Sequence, residues 1–483
     1  MSRPIPLAPF LDRLGPRGVI TDPDVIAPWL TDWRGRWTGR SAAILAPDST
    51  EEVAATVALA RDLGVALVPQ GGNSSMVGGA TPPEDGRALI LSTRRLNRIR
   101  SIDPEAGQAV CEAGVVLATL HEAAAAQGRR FPLSLGAKGS ATIGGLVSTN
   151  AGGTQVLRHG TMRGLVAGLE AVFPDGSVYD GLSALKKDNR GYDLRHLLIG
   201  AEGTLGVVTA ATLSLTAPIT HSATVWAGLA RPHDALRLLR RLQRRLGPTI
   251  EGFEVIAGDC LRHTLAYLPD ARAPLAGEAP WHALIEVDLS EAGERAEGDA
   301  GTGAVEAALG EALAEGLLLD ATLAQSRAQA EAFWRLRESI SPAEKAQGPA
   351  LQFDISVPVE RMPDFMIDAA RAAEARFPGT GASSFGHLGD GNVHFHVRAP
   401  AGTTDGPGWI AQSGGAITRF VHDAVMAAGG SISAEHGIGQ MKRAELGRLS
   451  SPARLGALRA VKAALDPTGM MNPGKLIPLA SEG

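Results

Sequence analysis

Two hydrophobic spacings alternate along this chain. Ala42-Ala43-Ile44-Leu45 is a short apolar run, and Val53, Val57, Ala60 and Leu63 then recur at helical spacing. The helix they predict begins behind Asp48-Ser49-Thr50-Glu51-Glu52, a hydroxyl-and-acid cluster suited to an N-cap, and Gly64 stops it. Val65 to Pro69 then reads as a buried strand. Residues 88–120 predict further strands and a helix through Ala118-Thr119-Leu120-His121. A strand begins at Val207-Val208-Thr209, and Pro218 closes this first region.

Beyond it, strands are expected at Thr224 to Leu229 and Ala283 to Asp288, with an Arg-rich helix over 233–246 between them. Residues 291–303, rich in Gly, Glu and Ala, read as an exposed loop. A single helix is expected near 304–340, a strand from Leu351 to Val357, and helices over about 360–376, 409–428 and 451–464. No solenoid-type repeat interrupts the pattern. The mixture predicts an α+β protein, and 483 residues exceed one ordinary core.

Three glycine-rich tracts break the apolar pattern within the first region. They are Gln70-Gly71-Gly72-Asn73-Ser74-Ser75 to Gly79, Leu135-Gly136 to Gly153, and Ile199-Gly200-Ala201-Glu202-Gly203-Thr204-Leu205-Gly206. Glycines let backbone N–H groups approach a ligand closely, and the serines add hydroxyl donors. One such loop is ordinary. Three in one domain favour an extended dinucleotide wrapped by backbone, although the nicotinamide fingerprint GxGxxG ahead of a helix is absent.

Composition narrows the partners. A net charge of −5 argues against nucleic acid. Two cysteines, Cys111 and Cys260, cannot hold an iron–sulfur cluster or a four-cysteine zinc site and suit free thiols in a reducing compartment. No apolar leader is expected from Met1-Ser2-Arg3-Pro4-Ile5-Pro6, and no run of about 18 apolar residues predicts a transmembrane helix. A cytoplasmic protein is expected, with peripheral membrane contact left open.

The chemistry concentrates in Phe385-Gly386-His387-Leu388-Gly389-Asp390-Gly391-Asn392-Val393-His394-Phe395-His396 and in Glu435-His436. His387 and His394 flank a Gly-Asp-Gly turn that can fold both imidazoles toward one point. With Glu435 they offer two nitrogens and an oxygen to a divalent metal, leaving positions open for substrate and His436 as a base. His394 and His396, at i and i+2 on a strand, face the same side. A lone histidine is more often a satisfied core residue; the joint pattern carries the reading. A metallohydrolase would explain this cluster but not the three glycine tracts.

Pro69-Gln70-Gly71-Gly72-Asn73, Ser134 to Ser140, Lys187-Asp188-Asn189-Arg190-Gly191-Tyr192-Asp193-Leu194 and Gly203-Thr204-Leu205-Gly206 resemble the FAD-binding domain of the vanillyl-alcohol oxidase/p-cresol methylhydroxylase flavoprotein superfamily. The histidine stretch, Ser433-Ala434-Glu435-His436-Gly437 and Asp466-Pro467 to Asn472-Pro473-Gly474-Lys475 extend the likeness to the FAD-dependent D-2-hydroxyacid dehydrogenases, D-2-hydroxyglutarate dehydrogenases in particular. The resemblance implies an N-terminal segment 1–34, a two-part FAD domain over 35–218, an α+β substrate and metal domain with an antiparallel sheet over 219–465, and a tail 466–483 returning to the FAD domain. Related enzymes without net oxidation, such as alkyl-glycerone-phosphate synthases, share the C-terminal architecture.

For the cofactor, it implies FAD held by Gly71, Gly72, Asn73, Ser74, Ser75, Leu135, Gly136, Ser140, Gly144, Gly145, Asn150, Glu202, Gly206, Val208 and Asn472. No histidine lies in the first loop, so non-covalent FAD is expected. It also implies His387, His394 and Glu435 as ligands of Zn2+, with Mn2+ or Co2+ as alternatives, and His436 as the catalytic base. Hydride would pass from the substrate Cα to the flavin as the 2-oxo acid forms. Electron-transfer flavoprotein or a quinone is the implied acceptor, and a homodimer is possible.

Arg337 matches the family arginine that grips the substrate, and Ser341 stands where a threonine is usual. Gln352 replaces a lysine beside the substrate's distal carboxylate, and near His396 the family places an asparagine. D-2-hydroxyglutarate is the leading substrate, with D-lactate, D-malate or another D-2-hydroxy acid as alternatives.

Overall fold

The computed structural model describes residues 5–290 and 300–478. Met1 to Pro4 and most of the loop expected over 291–303, namely residues 291–299, lie outside the described residues. The chain divides into two compact units. The first holds the chain up to Gly153, Gly160–Pro218 and everything from Glu435 on; the second holds Thr154–His159 and Ile219–Ala434.

In the first unit, β1 (Val19–Ile20), β2 (Ile44–Leu45), β3 (Ala66–Gln70) and β4 (Ala88–Ser92) form a sheet in the order β1-β2-β4-β3. β2, β4 and β3 run parallel, and β1 joins antiparallel at the edge. The helix Thr50–Leu63 makes the β2-to-β3 crossover. Ser49 caps it by accepting from the Glu52 N–H, and Gly64 ends it at φ 65°. Its Val53, Val57 and Ala60 pack on Leu67, Leu89 and Leu91. Met470 and Met471 join the same core, and the tail runs beside β3 through Leu67 N–H to Met470 O and Asn472 N–H to Leu67 O.

The unit's second sheet is antiparallel throughout. Its strands are β5 (Ile99–Asp103), β6 (Gln108–Glu112), β7 (Val166–Val172), β8 (Val178–Gly181) and β9 (Val207–Ser214), in the order β5-β6-β9-β7-β8. Cys111 is buried in its core with a free thiol, and burial pushes that thiol up to about 12.

The second unit is built on one antiparallel sheet of seven strands: β10 (Ser222–Leu229), β11 (Ile250–Ala257), β12 (Trp281–Asp288), β13 (Asp320–Leu323), β14 (Ala350–Ser356), β15 (Gly381–His387) and β16 (Asn392–Arg398). Their order is β13-β10-β12-β11-β15-β16-β14. One face is apolar. Val225, Phe253, Val255, Ile285, Phe353, Ile355, Val393, Phe395 and Val397 pack there beneath helices Pro232–Leu246, Ala300–Ala314, Met362–Arg376 and Gly406–Ala427. Each large side chain so buried contributes roughly 1.5–3 kcal/mol of transfer free energy.

The helix expected near 304–340 is divided. Ala300–Ala314 ends where Gly316 adopts φ 69° and Leu317 N–H returns to Ala312 O. Asp320–Leu323 then pairs with β10, Ser326 caps Arg327–Glu338, and a separate helix covers Ile340–Ala346. The apolar spacing alone did not distinguish one long helix from two helices flanking an edge strand.

Candidate active site

The opposite face of the seven-stranded sheet carries the histidines. Residues directly opposed across an antiparallel pair project to the same side. The register opposes His387 to Asn392, Phe385 to His394 and Ser383 to His396. On the next strand Ser356, Asp354 and Gln352 oppose Asn392, His394 and His396, and on β11 Glu254 opposes His387. The alternation Val393-His394-Phe395-His396-Val397 therefore drives three apolar side chains into the core and leaves both imidazoles on the polar face.

His387 and His394 stand with ring centroids 5.4 Å apart. His387 Nδ1 meets Glu254 Oε1 at 2.5 Å, so its Nε2 is the nitrogen directed away from that carboxylate. Arg337 Nε donates to the other oxygen, Oε2, at 2.6 Å. Glu254 is fully buried. Burial works to raise its carboxyl, but Arg337 and then His387 outweigh burial and hold it below the usual carboxylate range. Phe385 is the platform of the face: His394 and His396 lie 5.0 and 5.4 Å from its ring, and the Arg337 guanidinium carbon lies 4.9 Å from its centroid.

Asn392 Nδ2 donates to Asp354 Oδ1 at 2.9 Å, which braces the turn end of the hairpin. Asp390, in that turn, is raised above the carboxylate norm by burial. The chain leaves this unit through Ala434, whose N–H points to Asp354 O at 3.4 Å; Glu435 and His436, both half-buried, follow directly. Gln352 is half-buried, and Ser341 is exposed on the helix Ile340–Ala346.

The first unit brings its glycine tracts together. A Cβ on Gly72 would lie 1.7 Å from Ser140 O, and one on Gly71 would lie 2.1 Å from Thr142 Oγ1. The first and second tracts thus touch through backbone, which any side chain would prevent. Asn472 Nδ2 donates to Gly79 O at 2.9 Å and to Glu202 O at 2.6 Å, tying the first tract to the third. The Glu202 carboxylate accepts from Ile438 N–H and Gly439 N–H, both at 2.7 Å, and burial raises its pKa despite them.

Asn150 caps Ile143–Thr149 in the left-handed region, and its Oδ1 accepts from Arg163 N–H. Gly144 packs against Ala113, and Val208 is buried in β9. Ser75 Oγ accepts from Gly79 N–H, while Ser74 and Leu135 are half-buried and Ser140 is exposed. Gly206, at φ 157°, packs against Val172 O, whereas Gly136 has open space around it and Gly145 nearly so.

A dinucleotide fits this arrangement. Among the described residues, Asn73 Oδ1 and Thr142 Oγ1 are buried at the tracts without a hydrogen-bond partner, one an acceptor and the other able to donate.

Residues 41–181 match the family described as "FAD binding domain", and residues 219–476 match "FAD linked oxidases, C-terminal domain". Over 471 residues the chain is 39% identical to D-2-hydroxyglutarate dehydrogenase, mitochondrial, of Bos taurus, covering 97% of this chain and 82% of that one. The chain belongs to the D-2-hydroxyglutarate dehydrogenase family. A D-2-hydroxyglutarate dehydrogenase of Xanthomonas citri pv. viticola is 36% identical, with 94% and 93% covered.

This FAD-dependent D-2-hydroxyacid dehydrogenase also shares its fold with an alkyldihydroxyacetonephosphate synthase (TM-score 0.72, 17% identity, 99% and 87% covered). The same holds for p-cresol methylhydroxylase (TM-score 0.71, 15% identity, 97% and 95% covered). Among the dehydrogenase's described residues, no helix is long and apolar enough to cross a membrane. Sequence patterns assigned no role in the site to Glu254, nor to Phe385 and Asn392 within the histidine stretch. Glu254 carried one usable signal, an acid amid the apolar run Phe253 to Ala257.

Proposed function

We propose that this chain oxidises D-2-hydroxyglutarate to 2-oxoglutarate, with D-lactate, D-malate or another D-2-hydroxy acid as the alternatives. The carrying observation is the polar sheet face on which Glu254 orients His387 beside His394. A ligating histidine is commonly held by a carboxylate on its other nitrogen in this way. The family and the names of the relatives supply the hydroxy-acid chemistry.

In this reading His387, His394 and Glu435 hold a divalent metal, zinc by its ligand preference, and the glycine tracts hold FAD without a covalent link. The metal supplies Lewis acidity to the α-hydroxyl, and the flavin supplies the hydride acceptor. His436 removes the hydroxyl proton as the C–H bond breaks, within the range in which an imidazole works as a base near neutral pH. Arg337 faces the substrate carboxylate, its Nε engaged by Glu254 and its terminal nitrogens left for the fork contact that a carboxylate accepts. Electron-transfer flavoprotein or a quinone then reoxidises the flavin.

Anaerobic mixing of the holoenzyme with a panel of D- and L-2-hydroxy acids tests the reading. Bleaching of the flavin band is expected with D-2-hydroxyglutarate, and none with its L isomer. His436→Ala is expected to keep FAD and lose the bleaching. A flavin untouched by every D-2-hydroxy acid, or turnover by His436→Ala within about tenfold of the parent, would refute it.

A further inference from the structure

The polar face of the seven-stranded sheet is graduated by the strand repeat. Residues two apart on β15, β16 and β14 fall on the same side, about 7 Å apart. Its rungs are His387 with Asn392 and Ser356, then Phe385 with His394 and Asp354, then Ser383 with His396 and Gln352. If the α-hydroxy acid end of a substrate sits at His387 and His394, as proposed above, the third rung lies one strand repeat beyond His394. Two methylenes and a terminal group reach about that far.

Behind the third rung lies a fully buried carboxylate, Glu344, on the helix Ile340–Ala346. His263 Nδ1, Ser383 Oγ and Arg398 Nη1 meet it at 2.6, 2.7 and 2.5 Å. Its Oε2 is 3.9 Å from His396 Nδ1. Arg398 offsets its charge, and three fixed contacts leave the carboxylate little freedom to move. A carboxylate so held turns the His396 ring, setting Nδ1 toward itself and Nε2 away from itself. Phe385, edge-on to His396 at 5.4 Å, restricts the ring from the side. Gln352, across the strand pair, adds an amide donor on the same rung.

We infer that Glu344 is a positioning residue for His396, and that it acts through that imidazole on the far end of the substrate. The substrates that depend on Glu344 are those whose far end carries a hydrogen-bond acceptor, a carboxylate or an amide carbonyl, two methylenes beyond the carbinol carbon. The inference rests on the hydroxy-acid reading, and Glu344 lies outside the groups that reading uses.

The test compares the parent and Glu344→Gln holoenzymes. Binding of 2-oxoglutarate and of pyruvate to the oxidised flavoprotein is titrated by flavin difference spectra, alongside turnover of D-2-hydroxyglutarate and D-lactate. Loss of the buried charge that faces His396 Nδ1 across 3.9 Å predicts about a tenfold weakening for 2-oxoglutarate. KM for D-2-hydroxyglutarate should rise in step and kcat stay within about twofold, with the pyruvate and lactate constants unmoved.

Equal weakening for the long and short acids, or no change in either, overturns the positioning role. Should Glu344→Gln fail to fold, His263→Gln, which loosens Glu344 without removing its charge and lies outside the rung, is expected to give the same length-selective weakening at about threefold; a uniform change there overturns the inference equally. A parent enzyme that binds the 2-oxo acids with this selectivity yet oxidises no hydroxy acid would sink the activity reading and leave the positioning role standing.

Discussion

Glu254 sets the chemistry of the site at the scale of single residues. Its two oxygens serve different partners, His387 and Arg337, and it is fully buried. Removing the charge leaves Arg337 partly uncompensated in a dry setting and frees the His387 ring to turn. Glu254→Gln is therefore expected to lower the affinity for a divalent metal by about 10–100-fold. The metal content of purified variant and parent after graded chelator treatment checks this. Equal metal retention would remove Glu254 from the role of orienting His387.

The hairpin β15–β16 and its turn decide whether the histidines meet, so the relevant element is the turn as much as the strands. Gly391 has φ 81°, and a Cβ there would lie 2.1 Å from Val357 O. Leu157, in the short segment Thr154–His159, packs on the same turn where Gly389 admits it. Arg158 fastens that segment by pairing with the buried Glu251 at 2.5 Å and Asp288 at 2.6 Å. Gly391→Ala combines a left-handed backbone with a steric clash and is expected to destabilise the protein by about 2–3 kcal/mol. Thermal denaturation of parent and variant measures it; an unchanged midpoint would show that the turn relaxes freely.

Across the whole molecule, buried carboxylates held by arginines set the response to acid. Glu112 and Glu170 in the first unit are bound by Arg98 and Arg100, and Glu254 and Glu344 in the second by Arg337 and Arg398. In each, burial works to raise the carboxyl and the partners overcome it, so all four sit below the ordinary range. A folded-state pKa below the unfolded value gives stability that is present above the unfolded pKa and lost as pH falls through the folded one. Glu202 and Asp390, raised by burial, act in the opposite sense. The four outnumber the two, so the thermal midpoint is expected to hold near neutrality and fall steeply below about pH 4. A midpoint constant from pH 7 to pH 3 would contradict this balance.

Local patterns in the sequence determined much of this. The Ser49 cap, the Gly64 stop and the helix between them follow from short-range sterics and hydrogen bonding, as does the alternation that turns His394 and His396 to one side. The glycine tracts were legible because only glycine tolerates such backbone contact. Tertiary structure alone decided the rest. Strand order and register are long-range choices, and they bring Glu254 to His387 and Glu344 behind His396 from 133 residues away in the first case. The division of the 304–340 region turned on an edge strand that pairs with β10, a contact that periodicity does not encode. Spacing along the chain thus names the groups that do chemistry, while the buried charges that aim them are found only where distant strands meet.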